Sequence, residues 1–134
     1  MADSPLQVVV VTPEETVVDT GASYVVTPLF DGEIGIGAGH SPMIGRLGFG
    51  TLRITAGGET TAYYVDGGFV QVAEGVVSVM TNRAKPAAEL DAVEAQQKLA
   101  DALAAPPASG EALALRQRAI DQARGQLRAA KSST

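Results

Sequence analysis

The sequence predicts two stacked antiparallel β-sheets followed by a C-terminal hairpin of two α-helices. Residues 6–81 carry short runs of Val, Ile, Thr and Tyr separated by Gly, Pro or Asp, a pattern typical of strands joined by tight turns. At Ala84 the composition changes to Ala, Glu, Gln, Lys, Arg and Leu, with almost no β-branched residues, which favours helices. We therefore expect a β-sandwich domain at residues 1–84 and a helix-turn-helix domain at residues 85–134.

The first domain contains strand-like segments at residues 6–12, 15–19, 23–28, 51–56, 60–66, 68–73 and 76–81. Only 4% of the residues are aromatic, so small aliphatic side chains must build the core. The sequences AGGE (residues 56–59) and DGG (residues 66–68) are the expected hairpin turns. Tyr63 and Tyr64 occupy consecutive strand positions, so they should face opposite sides of a sheet, with one of them in the core.

The second domain should contain two helices. Pro86 fits the first turn of the first helix, and Glu89 and Asp91 lie near its positive end. The prolines of APPASG (residues 105–110) separate the helices, and Ser109 is a candidate N-cap of the second. Alanine-rich faces allow close helix packing; they comprise Ala88, Ala92, Ala95 and Ala102 on the first helix, and Ala112, Ala119, Ala123 and Ala130 on the second. Because alanine buries little apolar area, the hairpin should detach more easily than the sandwich unfolds.

The charge of the chain is unevenly distributed. Residues 1–81 hold nine acidic residues and two arginines (−7), whereas residues 82–134 hold eight basic and six acidic residues (+2), for a net charge of −5. An acidic domain repels phosphate backbones, so nucleic acid is not an expected partner. The absence of cysteine excludes disulfides and thiolate chemistry and favours an intracellular location. No apolar run approaches the roughly 20 residues of a membrane span, so membrane insertion is not expected.

A glycine-rich segment, DGEIGIGAGHSPM at residues 31–43, contains the only histidine of the chain. Its glycines do not follow the G-x-G-x-x-G pattern, so a dinucleotide or phosphate cofactor is not expected. His40 has no second histidine or cysteine to complete a metal or catalytic site. We therefore predict no catalytic residue, no metal and no cofactor, and interpret the segment as a surface loop that presents Glu33 and His40 to a partner.

The second helix carries an apolar stripe with basic residues beside it. Leu113, Ile120 and Leu127 recur every seven residues. Arg116, Arg124 and Lys131 fall along or beside that stripe. This pattern fits docking into a hydrophobic groove with an acidic rim. It fits equally well arginine side chains that lie over the acidic surface of the chain's own sandwich.

The sequence resembles the epsilon subunit of F-type ATP synthases over essentially the whole chain. The segments that carry the resemblance are VVTPEETVVDTGA (residues 10–22), DGEIGIGAGHSPMIGRLGFGTLRI (31–54) and YYVDGGFVQVAEGVVSVMT (63–81), followed by the alanine-rich helical pair. The resemblance implies a sandwich of about ten strands with a helical hairpin. It also implies a non-catalytic rotor subunit, peripheral at the cytoplasmic face of the cell membrane, that binds the gamma subunit and rests on the c-subunit ring.

The resemblance also assigns roles to individual residues. Those that match the ring-facing docking loop of the family are Asp31, Glu33, His40 and Pro42. The family's helices inhibit ATP hydrolysis when they extend toward the alpha/beta catalytic head, and the basic residues that would meet the head here are Arg116, Arg118, Arg124 and Arg128. The ATP-binding motif of some bacterial members corresponds to Leu90, Asp91, Glu94 and Ala95, where Glu94 replaces the motif's arginine. Since that change puts a carboxylate where a phosphate needs a cation, we expect no tight ATP binding.

Two other functions are compatible with the residues taken alone. One is a free-standing β-sandwich that binds a small ligand, with the helices forming a dimerisation hairpin. The other is a small hydrolase that uses His40 and Glu33. A ligand-dependent melting shift in a dimer would favour the first, and unaffected function in His40→Ala would remove the second.

Overall fold

The computed structural model describes residues 6–104 and 110–132. In this part of the chain eight strands precede a short 3-10 helix and two α-helices. The strands are β1 (Leu6–Val11), β2 (Thr16–Ala22), β3 (Tyr24–Leu29), β4 (Gly32–Ile36), β5 (Met43–Ala56), β6 (Glu59–Ala73), β7 (Val76–Met80) and β8 (Ala84–Pro86). The 3-10 helix spans Ala87–Glu89, α1 spans Ala92–Ala104 and α2 spans Glu111–Ser132. The predicted break at APPASG and the predicted N-cap Ser109 lie outside the described residues, apart from Gly110.

The two long strands β5 and β6 build both layers of the sandwich. The strand order is β2-β1-β7-β6-β5-β3-β4, and β8 also pairs with β6. The second half of β6 lies between β7 and the first half of β5, whereas the second half of β5 pairs with β3 and the first half of β6 pairs with β8. The sandwich is confirmed, but the expectation of about ten strands is wrong because these two strands each serve in both layers.

The predicted turn at DGG is also wrong, because residues 66–68 lie inside β6. Gly67 and Gly68 have φ values of 67° and 108°, which bend the strand without reversing it. A Cβ atom on Gly68 would lie 2.0 Å from the carbonyl oxygen of Met80, so only glycine fits at the bend. The other predicted turn is confirmed, since Ala56 pairs with Glu59 across two glycines of positive φ.

One strand pair departs from the predicted antiparallel arrangement. β1 runs parallel to β7, from the pair Gln7 and Val76 to the pair Val11 and Met80. These strands are far apart in the sequence, so no tight hairpin dictates their relative direction. The intervening strands provide the long crossover that a parallel pair requires.

The core between the layers consists of small aliphatic side chains, as predicted. It contains Leu6, Val8, Val10, Val18, Ala22, Val25, Ile36, Leu47, Leu52, Ile54, Val65, Val70, Val72, Val77 and Val79. Tyr63 packs against this core, whereas the fully buried Tyr64 belongs to a second cluster on the opposite face of β6. The prediction that the two tyrosines face opposite sides is therefore confirmed.

The prediction that Pro86 opens the first helix is wrong. Pro86 ends β8, whose residues pair with 63–65 of β6. Proline is compatible with such an edge strand because no further strand needs its missing N–H group. The helix α1 begins after Asp91, whose Oδ1 accepts hydrogen bonds from the N–H groups of Val93 (2.8 Å) and Glu94 (3.2 Å).

The two helices form an antiparallel pair that packs on the sandwich. The Arg116 side chain, near the start of α2, donates a hydrogen bond to the carbonyl oxygen of Leu103, near the end of α1 (3.1 Å). Of the predicted alanine faces, Ala95, Ala123 and Ala130 are buried, whereas Ala88, Ala112 and Ala119 are exposed. No helix in the described ranges combines the length and the apolar character that crossing a bilayer demands.

Candidate functional site

A buried carboxylate joins the sandwich to α2. Asp66, at the bend of β6, is only 5% exposed. Its Oδ1 and Oδ2 accept hydrogen bonds of 3.1 and 3.0 Å from the side-chain amide of Gln122, and the guanidinium of Arg118 lies 3.9 Å from Oδ1. The Asp66 backbone is fixed as well, because its N–H donates to the Thr81 hydroxyl and its carbonyl oxygen accepts from Asn82. A charged acceptor is therefore held rigidly where α2 can reach it.

A close backbone approach accompanies this polar contact. A Cβ atom on Gly125 would lie 2.7 Å from the carbonyl oxygen of Phe49, so α2 can rest on β5 only because residue 125 lacks a side chain. The Arg128 guanidinium donates to the same carbonyl oxygen at 3.4 Å, and the Arg118 guanidinium lies 5.4 Å from the centre of the Phe49 ring. Arginines on α2 thus border the contact on both sides.

The second apolar cluster completes the docking face. Tyr64, Ala87 and Ala129 are fully buried, with Phe49 and Leu90 packed around them. Burial raises the pKa of the Tyr64 hydroxyl well above its usual range, and the neighbouring Asp66 charge raises it further. Tyr64 therefore remains a neutral packing residue.

The four arginines of the predicted inhibitory set lie on α2 in this docked arrangement. Arg116 contacts α1, Arg118 contacts Asp66 and Phe49, and Arg128 contacts Phe49. Arg124 is exposed and lines a groove between α2 and the sandwich. Of the two interpretations of the basic residues, this conformation shows arginine side chains lying over the chain's own sandwich, with Arg118 paired to an acidic residue.

The residues of the degenerate nucleotide motif have local structural roles. Asp91 caps α1, Glu94 forms an ion pair with Lys98 (3.3 Å) and Ala95 is buried. Leu90 follows the 3-10 helix and packs in the second cluster. The cavity beside these residues has a volume of about 40 Å³, far below the roughly 300–1,000 Å³ of a typical ligand site.

The predicted docking loop is not one loop. It consists of a turn at residues 30–31, the strand β4 and a connection at residues 37–42. Asp31 and Glu33 lie at the end of β4 that pairs with Leu29, whereas His40 and Pro42 follow its other end, which pairs with Val25. The structure therefore separates Glu33 from His40 and does not assemble them into a catalytic pair.

The individual side chains of this segment have ordinary surroundings. Glu33 forms an exposed ion pair with Arg53 (3.6 Å), and Nδ1 of His40 donates to the carbonyl oxygen of Ser41 (2.7 Å). The Tyr24 ring lies over Gly35, and a Cβ atom there would meet the Tyr24 hydroxyl, the end of a side chain that is partly exposed. Within residues 6–104 and 110–132, no group of three acidic or histidine side chains is placed to hold a metal ion.

An exposed apolar strip was not identified from the sequence. It consists of Phe30, Ile44, Phe69 and Met80, which are 67%, 74%, 54% and 44% exposed. Phe69 pairs with both Arg46 and Met80 across the sheet, and the Arg46 guanidinium lies 5.5 Å from the centre of the Phe30 ring. The available sequence signal was the placement of Phe69 and Met80 at positions alternating with the core valines Val70 and Val79.

Comparison with known proteins identifies the family. Residues 5–87 match the β-sandwich domain of the ATP synthase delta/epsilon chain. The ATP synthase epsilon chain of Rhodopirellula baltica is 48% identical over 126 residues, which cover 94% of this chain and 98% of that protein. This chain belongs to the ATP synthase epsilon chain family. The epsilon chain of Granulibacter bethesdensis is 40% identical over 78% of this chain and 77% of its own length.

Solved structures agree with this assignment. A chain of the Euglena gracilis mitochondrial ATP synthase, in a structure of its OSCP, F1 and c-ring, has a TM-score of 0.80 at 25% identity, covering 92% of this chain and 81% of that chain. A chain of the Tetrahymena thermophila mitochondrial ATP synthase central stalk and c-ring shares the fold, with a TM-score of 0.66 at 13% identity over 100% and 99% of the two chains. As a family member, the chain is an accessory subunit and not a catalytic one. This assignment takes the place of the two alternative functions, the ligand-binding sandwich and the hydrolase.

The contacts of the docking face predict how two substitutions change the stability of α2 docking. Asp66→Asn removes the charge that binds Gln122 and Arg118, and we expect amide exchange in α2 to accelerate by about tenfold or more. Gly125→Ala should have the same effect through its clash with Phe49, although alanine raises intrinsic helix stability by about 1 kcal/mol. Hydrogen exchange followed by mass spectrometry measures both.

Asp121→Asn is the matched control for this experiment. Asp121 accepts a hydrogen bond from Gln117 on the same helix (3.0 Å), so its loss should leave docking intact. Unchanged α2 protection in Asp66→Asn, or equal loss in Asp121→Asn, would contradict the assigned role of Asp66.

Proposed function

We propose that this chain couples the gamma subunit to the c-subunit ring in the rotor of an F-type ATP synthase, and that its helices restrain ATP hydrolysis. The single observation that carries the proposal is the exposed apolar strip on a sandwich of this family. Monomeric soluble proteins rarely leave several large apolar side chains exposed side by side unless another surface covers them. The chain would act at the cytoplasmic face of the cell membrane as a peripheral component of the assembled enzyme.

The apolar strip is the proposed gamma-binding surface. Its aromatic side chains, with Arg46 among them, have the composition of binding hot spots. Ile44 lies on β5, Phe69 on β6, Met80 on β7 and Phe30 directly after β3. None of the four is among the residues that hold α2 against Phe49 and Asp66. The sandwich can therefore bind gamma while the helices remain docked.

Phe69→Glu should weaken gamma binding, because a charge would be buried against an apolar partner. We expect the dissociation constant to rise by about 30-fold or more. Val93→Glu is the control, since Val93 is 79% exposed but lies on α1. Light scattering coupled to size exclusion and calorimetry with gamma of the same organism measure the complex, and an unaltered affinity in Phe69→Glu would refute this surface.

The proposed ring contact runs along the edge strand β4. β4 is last in the strand order, and the predicted docking residues Asp31, Glu33, His40 and Pro42 lie at its two ends. A flat ring surface could meet both ends only if this edge of the sandwich lay along it. The four residues would then contact the ring along one edge of the sandwich, and not from a single loop.

Single cysteines can test the ring contact, because the chain contains none. We expect Glu33→Cys and His40→Cys to cross-link to the c-subunit in the assembled enzyme. Asp19→Cys should not, since Asp19 is exposed on β2, the strand at the opposite end of the order. Cross-linking from Asp19 without cross-linking from either β4 end would show that a different edge faces the ring.

The docked helices are proposed to be the permissive state of a two-state regulator. Arg116, Arg118 and Arg128 are engaged within the chain while α2 is docked. Release of α2 would free them, together with Arg124, to meet acidic groups of the catalytic head. The two states need differ by only a few kcal/mol for partners to shift their populations.

Substitutions that weaken docking should therefore increase inhibition. In enzyme reconstituted with Asp66→Asn we expect ATP hydrolysis to fall by up to about tenfold relative to wild type. Asp121→Asn should hydrolyse ATP at the wild-type rate, and adding Arg124→Gln to Asp66→Asn should partly restore the rate. A steady-state rate that is the same for Asp66→Asn and wild type would argue against regulation by α2 release.

We also propose that the degenerate motif holds no ATP tightly. Glu94 is paired with Lys98, Asp91 is occupied as the α1 cap, and the adjoining cavity is too small for a nucleotide. Calorimetry on the isolated chain should detect no low-micromolar ATP binding. A dissociation constant in that range, abolished by a substitution at Asp91, would contradict this proposal.

A further inference from the structure

One arginine lies within the exposed apolar strip. Arg46 is exposed on β5, two residues after Ile44, so both side chains point to the same face of the sheet. In the strand register Arg46 pairs with Phe69, which pairs in turn with Met80. The Arg46 guanidinium lies 5.5 Å from the centre of the Phe30 ring. A positive charge is thus placed among the apolar side chains of the strip.

The charge of Arg46 is not compensated by the rest of the described chain. Residues 1–81 contain two basic residues, Arg46 and Arg53, and Arg53 forms an ion pair with Glu33 (3.6 Å). Among residues 6–104 and 110–132, no carboxylate forms an ion pair with Arg46. Water therefore solvates this guanidinium for as long as the strip is uncovered.

A partner that covers the strip must also cover Arg46. Removing water from a charged side chain is strongly unfavourable unless the new surroundings supply an opposite charge and hydrogen bonds. Stacking on Phe30 leaves the N–H groups at the edge of the guanidinium without acceptors. The covering surface must therefore bring acceptors to Arg46, and a carboxylate accepts from two of its N–H groups at once.

We infer that the gamma subunit covers the strip with a carboxylate that pairs with Arg46, set among apolar side chains. This inference rests on the proposed gamma-binding role of the strip and specifies the chemistry of the gamma segment. A guanidinium can stack on a ring through its face while it binds a carboxylate through its edge. The Phe30 ring thus holds Arg46 in place for the pairing.

The acidity of the sandwich makes this pairing selective. Residues 1–81 carry a formal charge of −7, so a gamma carboxylate placed away from Arg46 meets an excess of negative charge. A shift of gamma by one strand residue, about 3.3 Å, would separate the pair and leave both charges buried without a partner. Arg46 would therefore determine both the position of gamma on the strip and which gamma segments are accepted.

A hollow beside Arg46 has room for side chains of the partner. Its volume is about 770 Å³, and it lies between the connection from β1 to β2 and the strip. The hollow is lined by Val11, Thr12, Pro13, Arg46, Gly68, Phe69, Met80, Thr81 and Asn82. Large side chains that fill such a hollow carry much of the binding energy of protein interfaces. We therefore expect the gamma carboxylate to lie next to a large apolar side chain.

The test is calorimetric titration of gamma of the same organism into the full chain and its Arg46 variants. Arg46→Met keeps an apolar stem and removes the charge, and we expect the dissociation constant to rise by about tenfold or more, because the gamma carboxylate loses its partner. An entirely apolar gamma segment would bind Arg46→Met at least as tightly as wild type. Arg46→Lys keeps the charge without the paired donors, so its affinity should lie between the two.

Lys85→Met is the matched control for the loss of charge. Lys85 is exposed on β8 and lies outside the strip, so this variant should bind gamma like wild type. Arg46 is exposed, and we expect the melting temperature of its variants to stay close to that of wild type.

An exchange of charges identifies the gamma carboxylate. Arg46→Glu places two carboxylates against each other, and we expect it to weaken binding by about 100-fold or more. Each Asp and Glu of gamma is then changed in turn to Lys and titrated against Arg46→Glu. One of these gamma variants should restore the affinity to within about tenfold of wild type, although it binds the wild-type chain weakly.

The possible failures are distinguishable. Equal affinities of Arg46→Met and wild type, equal weakening by Lys85→Met, or rescue by none of the gamma variants would overturn the inference and leave gamma binding intact. If wild type and gamma formed no complex, the proposed function would fail, and this inference with it.

Discussion

The contact between α2 and the bend of β6 determines how the two parts of this molecule are arranged. Asp66 offers α2 a rigid charged acceptor, and Gly125 lets the helix approach the backbone of Phe49. Most of the buried helix residues are alanines, which contribute little apolar area, so a few polar contacts account for a large part of the docking. The main core cluster of the sandwich contains no helix residue, so we expect the hairpin to detach more easily than the sandwich unfolds.

Each of the proposed functions is assigned to a different surface of the sandwich. The apolar strip occupies the exposed face of β5, β6 and β7, the polar residues lie along the edge strand β4, and α2 covers the bend near Asp66. Because these surfaces use different residues, a partner at one leaves the others accessible. The proposed function requires this separation, since the subunit would hold two partners while its helices change state.

Local patterns in the sequence were sufficient to predict the sandwich, the helical pair and the AGGE turn, since each depends on neighbouring residues. They failed where a residue's role depends on distant parts of the chain. DGG has the composition of a turn, but the fit of Gly68 against Met80 makes it a bend within one strand. Likewise β4 was interpreted as a loop because its glycines, one of which makes room for Tyr24, interrupt the alternating pattern.

The functional surfaces were harder to predict for the same reason. Asp66 and Gln122 are 56 residues apart in the sequence, and only the folded chain shows that they bind each other. Within the apolar strip, Phe69 and Met80 likewise become neighbours only through cross-strand register. The continuity of β6 has a mechanical consequence: Asp66 and Phe69 lie on one strand, separated by about 10 Å of backbone. If gamma binds at Phe69, a twisting force from rotating gamma would be transmitted through the covalent backbone of β6 to Asp66, which holds α2. Rotation of gamma and release of α2 would then be mechanically coupled.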